Sequence, residues 1–204
     1  MSTPRPERLP APDERGMTEA QRVVHERIVA GPRGQVVGPL KVWLHSPALA
    51  DRAQALGQFA RYDSALPPRL SELAILVTAR IWSSGFEWSH HAPVAREAGL
   101  PEAAVEAIGK GRRPDLECED ERAVFDFAVA LHRDRRVGDA VYGRALAALG
   151  EAGTVDLVGI CGYYTLISMT INAFEVPDGD GPALPRLDLA PERMFRDYSE
   201  TRSG

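Results

Sequence analysis

Apolar residues recur at helical spacing along most of this 204-residue chain, and no stretch alternates apolar with polar residues as a half-buried strand does. The β-branched residues cluster only inside segments with that helical periodicity. Because a sheet would need alternating or β-rich runs, the pattern predicts an all-α fold, a compact bundle of about seven to nine helices.

Capping residues mark where several of these helices begin and end. Thr18 and Ser46-Pro47 are typical of helix starts, and Gly99 is typical of a helix end. The predicted helices span 18–31, 46–62, 70–82, 86–98, 101–109, 119–134, 139–149 and 154–174.

Proline-rich segments flank this helical part. They predict an irregular N-terminal arm over 1–16, a single helical domain over 17–176 and an extended C-terminal tail over 177–204. The glycine-proline segment 31–40 lacks the features of a phosphate loop, and it is either a plain connector or the rim of a pocket.

The charge and the cysteines narrow the classes of function. A net charge of −5 argues against a nucleic-acid or anionic-membrane partner. Cys118 and Cys161 show no CxxC or zinc spacing and cannot form a secreted disulfide framework. The arm has no apolar signal core, so we expect a cytoplasmic protein.

Residues 157–174 carry no charged side chain, which brings them close to the length of a membrane span. The segment also contains tyrosine, threonine, serine, asparagine and glycine, which a lone lipid-facing helix rarely tolerates. We therefore predict a helix that is buried on several sides, in the core or in a subunit interface.

Polar residues concentrate around one predicted helix start. Glu87, His90 and His91 have i, i+3 and i+4 spacing, so one carboxylate reaches both imidazoles, and Ser84 lies one turn earlier. Glu72 opens an apolar run that draws its carboxylate into the core, where an unpaired charge is costly. A carboxylate beside an imidazole suits acid–base chemistry near neutral pH.

A purely structural interpretation remains open at this stage. In it, Glu87 pairs with a surface histidine, and Glu72 pairs with Arg80 or Arg69.

The spacing of these residues resembles that of the carboxymuconolactone decarboxylase and alkylhydroperoxidase D-like superfamily. Counted from Glu72, the two motif thiols of that superfamily fall at positions 84 and 87, and its histidine falls at 91. This chain has Ser84, Glu87 and His91 there, with His90 completing a histidine pair. The segments 67–72, 87–91 and 98–102 resemble the decarboxylase-like branch, and the likeness extends to 163–172.

The resemblance implies an alkylhydroperoxidase D-like fold and an enzyme that uses no cofactor and no metal. The family reaction removes a carboxylate from a small lactone acid, which makes a carboxy-lyase the expected class. Glu72, His91, Glu87 and His90 are the expected catalytic residues, with His91 or His90 as the acid. The expected substrate-binding residues are Ser84, Trp88, Tyr163 and Asn172.

Several alternatives stay open beside this expectation. Disulfide-cycling peroxidase chemistry is disfavoured because Ser84 and Glu87 replace both thiols. A mononuclear metal site from Glu72, Glu87 and one histidine is conceivable, and so is a non-catalytic binding protein. The resemblance also implies a homo-oligomer, a trimer or hexamer, that binds a small-molecule substrate.

Overall fold

The computed structural model describes residues 7–196, and all regular structure within that range is helical. The predicted all-α fold is therefore confirmed, with eight α-helices in the described part of the chain. They are α1 (Glu19–Ala30), α2 (Pro39–Trp43), α3 (Pro47–Gln58), α4 (Pro68–Ile81), α5 (Gly85–Glu97), α6 (Glu102–Gly109), α7 (Glu119–Val129) and α8 (Asp139–Phe174). Residues 1–6 of the predicted arm and 197–204 of the predicted tail lie outside the described residues.

The capping residues place the helix starts where the sequence predicts them. The Thr18 hydroxyl accepts from the Gln21 amide while the Gln21 side chain accepts from the Thr18 amide, which completes a capping box on α1. Ser46 stands at the cap position of α3 but makes no side-chain capping bond, so Pro47 alone marks that start.

Two predicted helices end in a π-helical turn. The predicted segment 46–62 becomes α3 followed by a π-turn over Phe59–Asp63, and 119–134 becomes α7 followed by a π-turn over Ala130–Asp134. Each turn holds one more residue than an α-turn, which rotates the side chains that follow. The first π-turn carries Arg61, which lines the pocket described below.

Helix α4 is the centre of the bundle. Every residue from Leu70 to Ile81 is buried, because α5, α6, α7 and α8 all pack against it. The near-continuous apolar run of this helix is what a helix enclosed on all sides requires. The polar exceptions, which are thereby held inside the core, are Ser71, Glu72, Thr78 and Arg80.

Helix α8 consists of two helical pieces joined at Gly150. That residue has φ 70° and ψ −179°, which are not helical values and which suit glycine. The kink agrees with the two helices predicted over 139–149 and 154–174. By length and composition α8 could cross a membrane, but half of its apolar window is buried in the protein. The predicted burial of this helix therefore holds for the faces that pack in the core. Val155, Val158 and Met169 on its remaining surface are exposed in the single chain.

The described part of the tail is extended, as predicted, yet it is packed rather than loose. Pro93 inside α5 has no amide hydrogen, so the Ser89 carbonyl lacks its helical partner. Gly181 of the tail lies directly against that carbonyl, and the Gly179 amide donates to the Ser89 hydroxyl at 3.1 Å. Farther along, Met194 and Phe195 are buried in the core.

Candidate active site

A buried ion-pair chain joins α4 to α5. His91 Nδ1 lies 2.8 Å from Glu72 Oε2, and His91 Nε2 lies 3.3 Å from Glu87 Oε2. All three side chains are at most 6% exposed. The sequence places Glu87 one helical turn before His91, whereas Glu72 reaches the imidazole only because α4 packs against α5. The structure therefore brings these three predicted residues together.

The two carboxylates set the charge of His91. Burial by itself would lower its pKa, but the charges of Glu72 and Glu87 and their hydrogen bonds outweigh burial and raise the pKa of His91 to about 9. His91 is consequently an imidazolium at neutral pH, and both of its ring nitrogens act as donors. The cluster is an anion–cation–anion chain that retains one net negative charge.

His90 is adjacent in sequence but has the opposite behaviour. Burial, the positive charge of His91 and that of Arg61 lower the pKa of His90 to about 4, against a smaller opposing effect of Glu87 and Glu72. His90 is therefore neutral at pH 7. The two imidazole rings meet edge to face with centroids 5.0 Å apart.

The ion-pair chain faces a pocket between α5, α8 and the segment before α2. Glu87, His90 and His91 line it together with Tyr163, Tyr164 and Ile167 of α8. Its free volume is about 60 Å³, several times what one water molecule needs. Phe86 closes one side, and it approaches so near to Gly38 that no side chain would fit there. Gly38 also has φ 51°, a value that favours glycine.

Two arginines on the pocket wall were not predicted from the sequence. Arg33 and Arg61 both line the pocket, and neither forms an ion pair with a carboxylate among the described residues. The buried Nε atom of Arg33 has no hydrogen-bond partner there either. The sequence left two interpretations of the segment 31–40 open, a plain connector or the rim of a pocket. The structure supports the rim, because Arg33, Gln35 and Val37 line the pocket.

Two tyrosines of α8 complete the wall. Arg33 Nη2 donates to the Tyr163 hydroxyl at 3.2 Å, and Gly57 leaves the space that this contact occupies. Tyr164, a third pocket residue that was not predicted from the sequence, packs edge-on against the His91 ring with centroids 5.0 Å apart. Burial, together with Glu87 and Glu72, raises the pKa of Tyr164, so its phenol stays protonated.

Three of the four predicted substrate-binding residues lie elsewhere. Tyr163 lines the pocket, but Ser84, Trp88 and Asn172 are not among the residues that do so. Ser84 is fully buried with an unpartnered hydroxyl, Trp88 packs against Gly109, and Asn172 is exposed and donates to the Trp82 carbonyl at 2.9 Å. Ser84 and Trp88 are near His91 along the chain and Asn172 shares α8 with Tyr163, but none of the three lines the pocket.

The arginines that could have paired with Glu72 have other partners. Arg69 binds Asp120 and Glu121, while Arg80 donates to the Pro185 carbonyl at 2.7 Å and to the Ser83 hydroxyl at 2.8 Å. The structural interpretation of Glu72 as an arginine partner is therefore wrong.

No three His, Cys, Asp or Glu side chains within residues 7–196 are grouped so as to hold a metal ion. The reason is visible at His91, whose two nitrogens point in opposite directions at Glu72 and Glu87. The three side chains thus form a line instead of converging on one point, which a shared metal ion would require.

Comparison with known protein families finds one model that matches part of the chain. Residues 47–130 match the model of the carboxymuconolactone decarboxylase family. No curated protein sequence matches the chain.

Solved structures share the fold at low sequence identity. A peroxidase-related protein from a Silicibacter species is 14% identical with a TM-score of 0.69, and the match covers 96% of this chain and 100% of that one. An alkylhydroperoxidase core protein from Ralstonia eutropha is 16% identical with a TM-score of 0.68, covering 85% and 93%. A variant of the debrominase Bmp8, in complex with 2,3,4-tribromopyrrole, is 15% identical with a TM-score of 0.66, covering 83% and 91%. These likenesses establish the alkylhydroperoxidase D-like fold.

Proposed function

We propose that this chain, whose residues 47–130 match the model of the carboxymuconolactone decarboxylase family, is an enzyme that works by cofactor-free acid–base chemistry. Its reaction is a decarboxylation, or a related proton transfer, on a small carboxylic acid or lactone. The observation that carries this proposal is the buried Glu72–His91–Glu87 chain, which keeps an imidazolium at the wall of a pocket.

The proposed reaction starts with loss of carbon dioxide from a substrate carboxylate. The electron pair of the broken carbon–carbon bond passes to a conjugated carbonyl and gives an enolate. The enolate carbon then takes a proton, so that one proton is consumed for each carbon dioxide released. A donor placed beforehand at the developing oxyanion lowers the barrier by a few kcal/mol.

His91 is the proposed proton donor. Its Nε2–H contact with Glu87 is long, at 3.3 Å, while its Nδ1 contact with Glu72 is short, at 2.8 Å. Glu72 therefore fixes the ring, and the weaker bond on the other nitrogen is the one that a substrate atom displaces. After transfer, the two carboxylates favour return of a proton from solvent, because they stabilise the imidazolium.

His90 has a different role in this proposal. With its pKa lowered to about 4, it is neutral at pH 7 and is unsuited to be the acid. A neutral imidazole still has one N–H, which can donate to the enolate oxygen. We therefore assign acid chemistry to His91 and oxyanion stabilisation to His90.

Arg33 and Arg61 supply the proposed contacts to a substrate carboxylate. Both line the pocket without a carboxylate partner among residues 7–196, and a planar guanidinium suits bidentate binding of such a group. A carboxylate that is to be lost gains nothing from strong ground-state binding. The arginines are therefore expected to hold a second carboxylate or the lactone oxygens.

Thiol peroxidase chemistry is the alternative that the names of some structural neighbours suggest. Disulfide cycling needs a reactive thiolate and a resolving thiol. Here Cys118 is exposed and Cys161 is buried, with burial raising the pKa of the Cys161 thiol to about 12. Neither cysteine lines the pocket, so this alternative has no support from the site.

The test is a substrate screen with a matched pair of variants. Unsaturated lactone acids and 2-oxo or 3-oxo acids are incubated with the protein, and carbon dioxide release is measured. His91→Gln is expected to abolish turnover, whereas His25→Gln, at a half-buried position of α1 outside the pocket, is expected to leave it unchanged. Peroxide and 2,3,4-tribromopyrrole are included as further substrates, and turnover of either one by the His91→Gln variant would refute the proposal.

A homo-oligomer, a trimer or hexamer, is also proposed. Large apolar side chains are exposed on several helices, among them Val155, Val158 and Met169 of α8. Exposed apolar patches commonly mark protein interfaces. Size-exclusion chromatography with light scattering is expected to give a mass of three or six chains, and Val155→Glu is expected to reduce it.

A further inference from the structure

A second cleft lies on the other side of the first turn of α5 and shares no lining residue with the His91 pocket. It is bounded by the end of α4, the start of α5 and the C-terminal segment, and its free volume is about 340 Å³. Its lining includes Arg80, Ser83, Gly85, Asp178, Pro185 and Arg186.

Arg80 is the unusual residue of this cleft. It is 2% exposed, yet no carboxylate lies within ion-pair distance of it among the described residues. Its hydrogen bonds go to the carbonyls of Gly109 and Pro185 and to the Ser83 hydroxyl, and its buried Nε has no partner. Buried charges are normally paired, because an unpaired one keeps the full cost of losing its water. Burial lowers the pKa of Arg80, because it disfavours the charged guanidinium.

Other groups add to the positive potential of the cleft. Arg186, on the C-terminal segment, lines it and forms no ion pair among residues 7–196. Gly85 is the first residue of α5, so the amides of the first helical turn, which have no carbonyl partners within the helix, face this region. A helix start of this kind carries a partial positive charge.

One group opposes this potential. The Asp178 carboxylate lies against Gly85 so closely that a side chain at position 85 would collide with it. The Asp178 carboxylate therefore lies at the start of α5, where the partial positive charge of the helix favours an anion. Asp178 lines the same cleft as Arg80, but it is not within ion-pair distance of it.

We propose that this cleft binds a small oxyanion, a phosphate or a carboxylate, between Arg80, Arg186 and the start of α5. Arg80 provides a guanidinium held in a fixed position by two carbonyls and a hydroxyl, which is a preorganised donor. Asp178 competes with the ligand for the same positive end of the helix and lowers its affinity. The site is separate from that of the proposed acid–base reaction, because it shares no lining residue with the His91 pocket.

Calorimetric titration of the full chain at constant ionic strength tests this proposal, with inorganic phosphate in one series and acetate in another. Arg186→Gln is expected to weaken binding at least about fivefold, the effect of losing one partly exposed ionic contact. Asp178→Asn is expected to strengthen binding by a similar factor, because it removes the competing charge. Arg52→Gln, an exposed arginine on α3 outside the cleft, is the matched control and is expected to change nothing.

The variants also separate this cleft from the active-site pocket. Arg80→Gln is expected to abolish binding, but its burial makes a folding defect possible, so Arg186→Gln and Asp178→Asn carry the decision. Arg33→Gln is expected to leave phosphate and acetate binding intact. The proposal is overturned if neither anion binds more tightly than about 10 mM or if Arg33→Gln removes binding. It is also overturned if Arg186→Gln fails to weaken binding or Asp178→Asn fails to strengthen it.

Discussion

Helix α4 contacts two buried histidines from other parts of the bundle, and one is charged at neutral pH while the other is neutral. Near its start, Glu72 contacts His91 of α5, and the pKa of His91 rises to about 9. Six residues later, the Thr78 hydroxyl lies 2.9 Å from His132 Nε2 in the π-turn after α7. Burial, with a smaller contribution from Arg135, lowers the pKa of His132 to about 4.

The two regions show that the partner, more than burial, decides the charge of an enclosed imidazole. Both histidines are at most 5% exposed. His91 meets two carboxylates, which compensate for the lost hydration of an imidazolium, whereas His132 meets a hydroxyl that already donates to the Ala74 carbonyl. The Thr78 oxygen therefore accepts from a neutral His132. We infer that the first region is built for proton transfer and the second for packing.

Altering the partner of each histidine in turn tests this comparison most directly. Glu72→Gln removes the charge that holds His91 protonated, and we expect kcat/KM to fall by about 100-fold or more. Thr78→Val alters the matching position beside His132 and should leave kcat/KM nearly unchanged. Steady-state assays on the substrate from the screen measure both variants.

A readout without a substrate accompanies that experiment. NMR titration of the imidazole signals should place the pKa of His91 well above 7 in the wild type and lower in Glu72→Gln. An unchanged His91 titration in that variant would contradict the role of Glu72.

Stability at alkaline pH should depend on His91. Its pKa is raised in the folded state, so its stabilising effect is complete below about pH 6.5 and is lost as the pH rises through about 9. The shift corresponds to a loss on the order of 3 kcal/mol in the free energy of unfolding. Urea unfolding at a series of pH values measures this, and His91→Gln should flatten the alkaline limb.

Stability at acidic pH should depend on His132 in the opposite sense. Its folded pKa is lowered, so its contribution is complete above about pH 6.5 and decreases as the pH falls toward about 4, where the unfolded state alone binds the proton. His132→Gln should reduce the loss between these pH values by about 3 kcal/mol. His90, whose pKa is also lowered, acts in the same direction, and His90→Gln serves as the comparison variant. An acid limb that neither variant changes would show that other groups govern it.

Thr78→Val should also reduce stability at neutral pH. The variant keeps the side-chain shape but leaves His132 Nε2–H without an acceptor in the core, which typically costs about 1–3 kcal/mol. Chemical denaturation at pH 7 measures the difference. A variant as stable as the wild type would mean that His132 finds another acceptor.

The smallest effect is expected for the thiol beside Thr78. Cys161 is fully buried with a pKa raised to about 12, whereas Cys118 is exposed at the start of α7. A thiol reagent should label Cys118 in the native protein and Cys161 only after unfolding. Mass spectrometry of digested protein identifies the labelled residue, and native labelling of Cys161 would reveal opening of this region.

Local sequence patterns predict the helices well because each helix records its boundaries in a few neighbouring residues. Thr18, Pro47 and Gly99 mark the ends of their helices, and the unbroken apolar run of α4 indicates a helix enclosed on every side. The π-turns after α3 and α7 were not predicted, because a single inserted residue leaves no distinct mark in the periodicity.

The candidate site is only partly local. Glu87 and His91 lie one turn apart on α5, so the sequence alone pairs them. Glu72 could equally have paired with an arginine, and only the packing of α4 on α5 selects His91. Arg33 and Arg61 come from a loop and a π-turn far along the chain from His91, and no spacing rule connects them to it.

By itself, the sequence determined the all-α architecture, the starts of most helices and the pairing of one carboxylate with one histidine, because these follow from contacts within a turn or two. Tertiary structure decided the charge states of His90, His91 and His132, which depend on burial and on partners from other helices. It also decided that Ser84 and Trp88 face the core while Arg33 and Tyr164 line the pocket. Those outcomes depend on how the helices rotate and cross, and that packing is a property of the whole bundle.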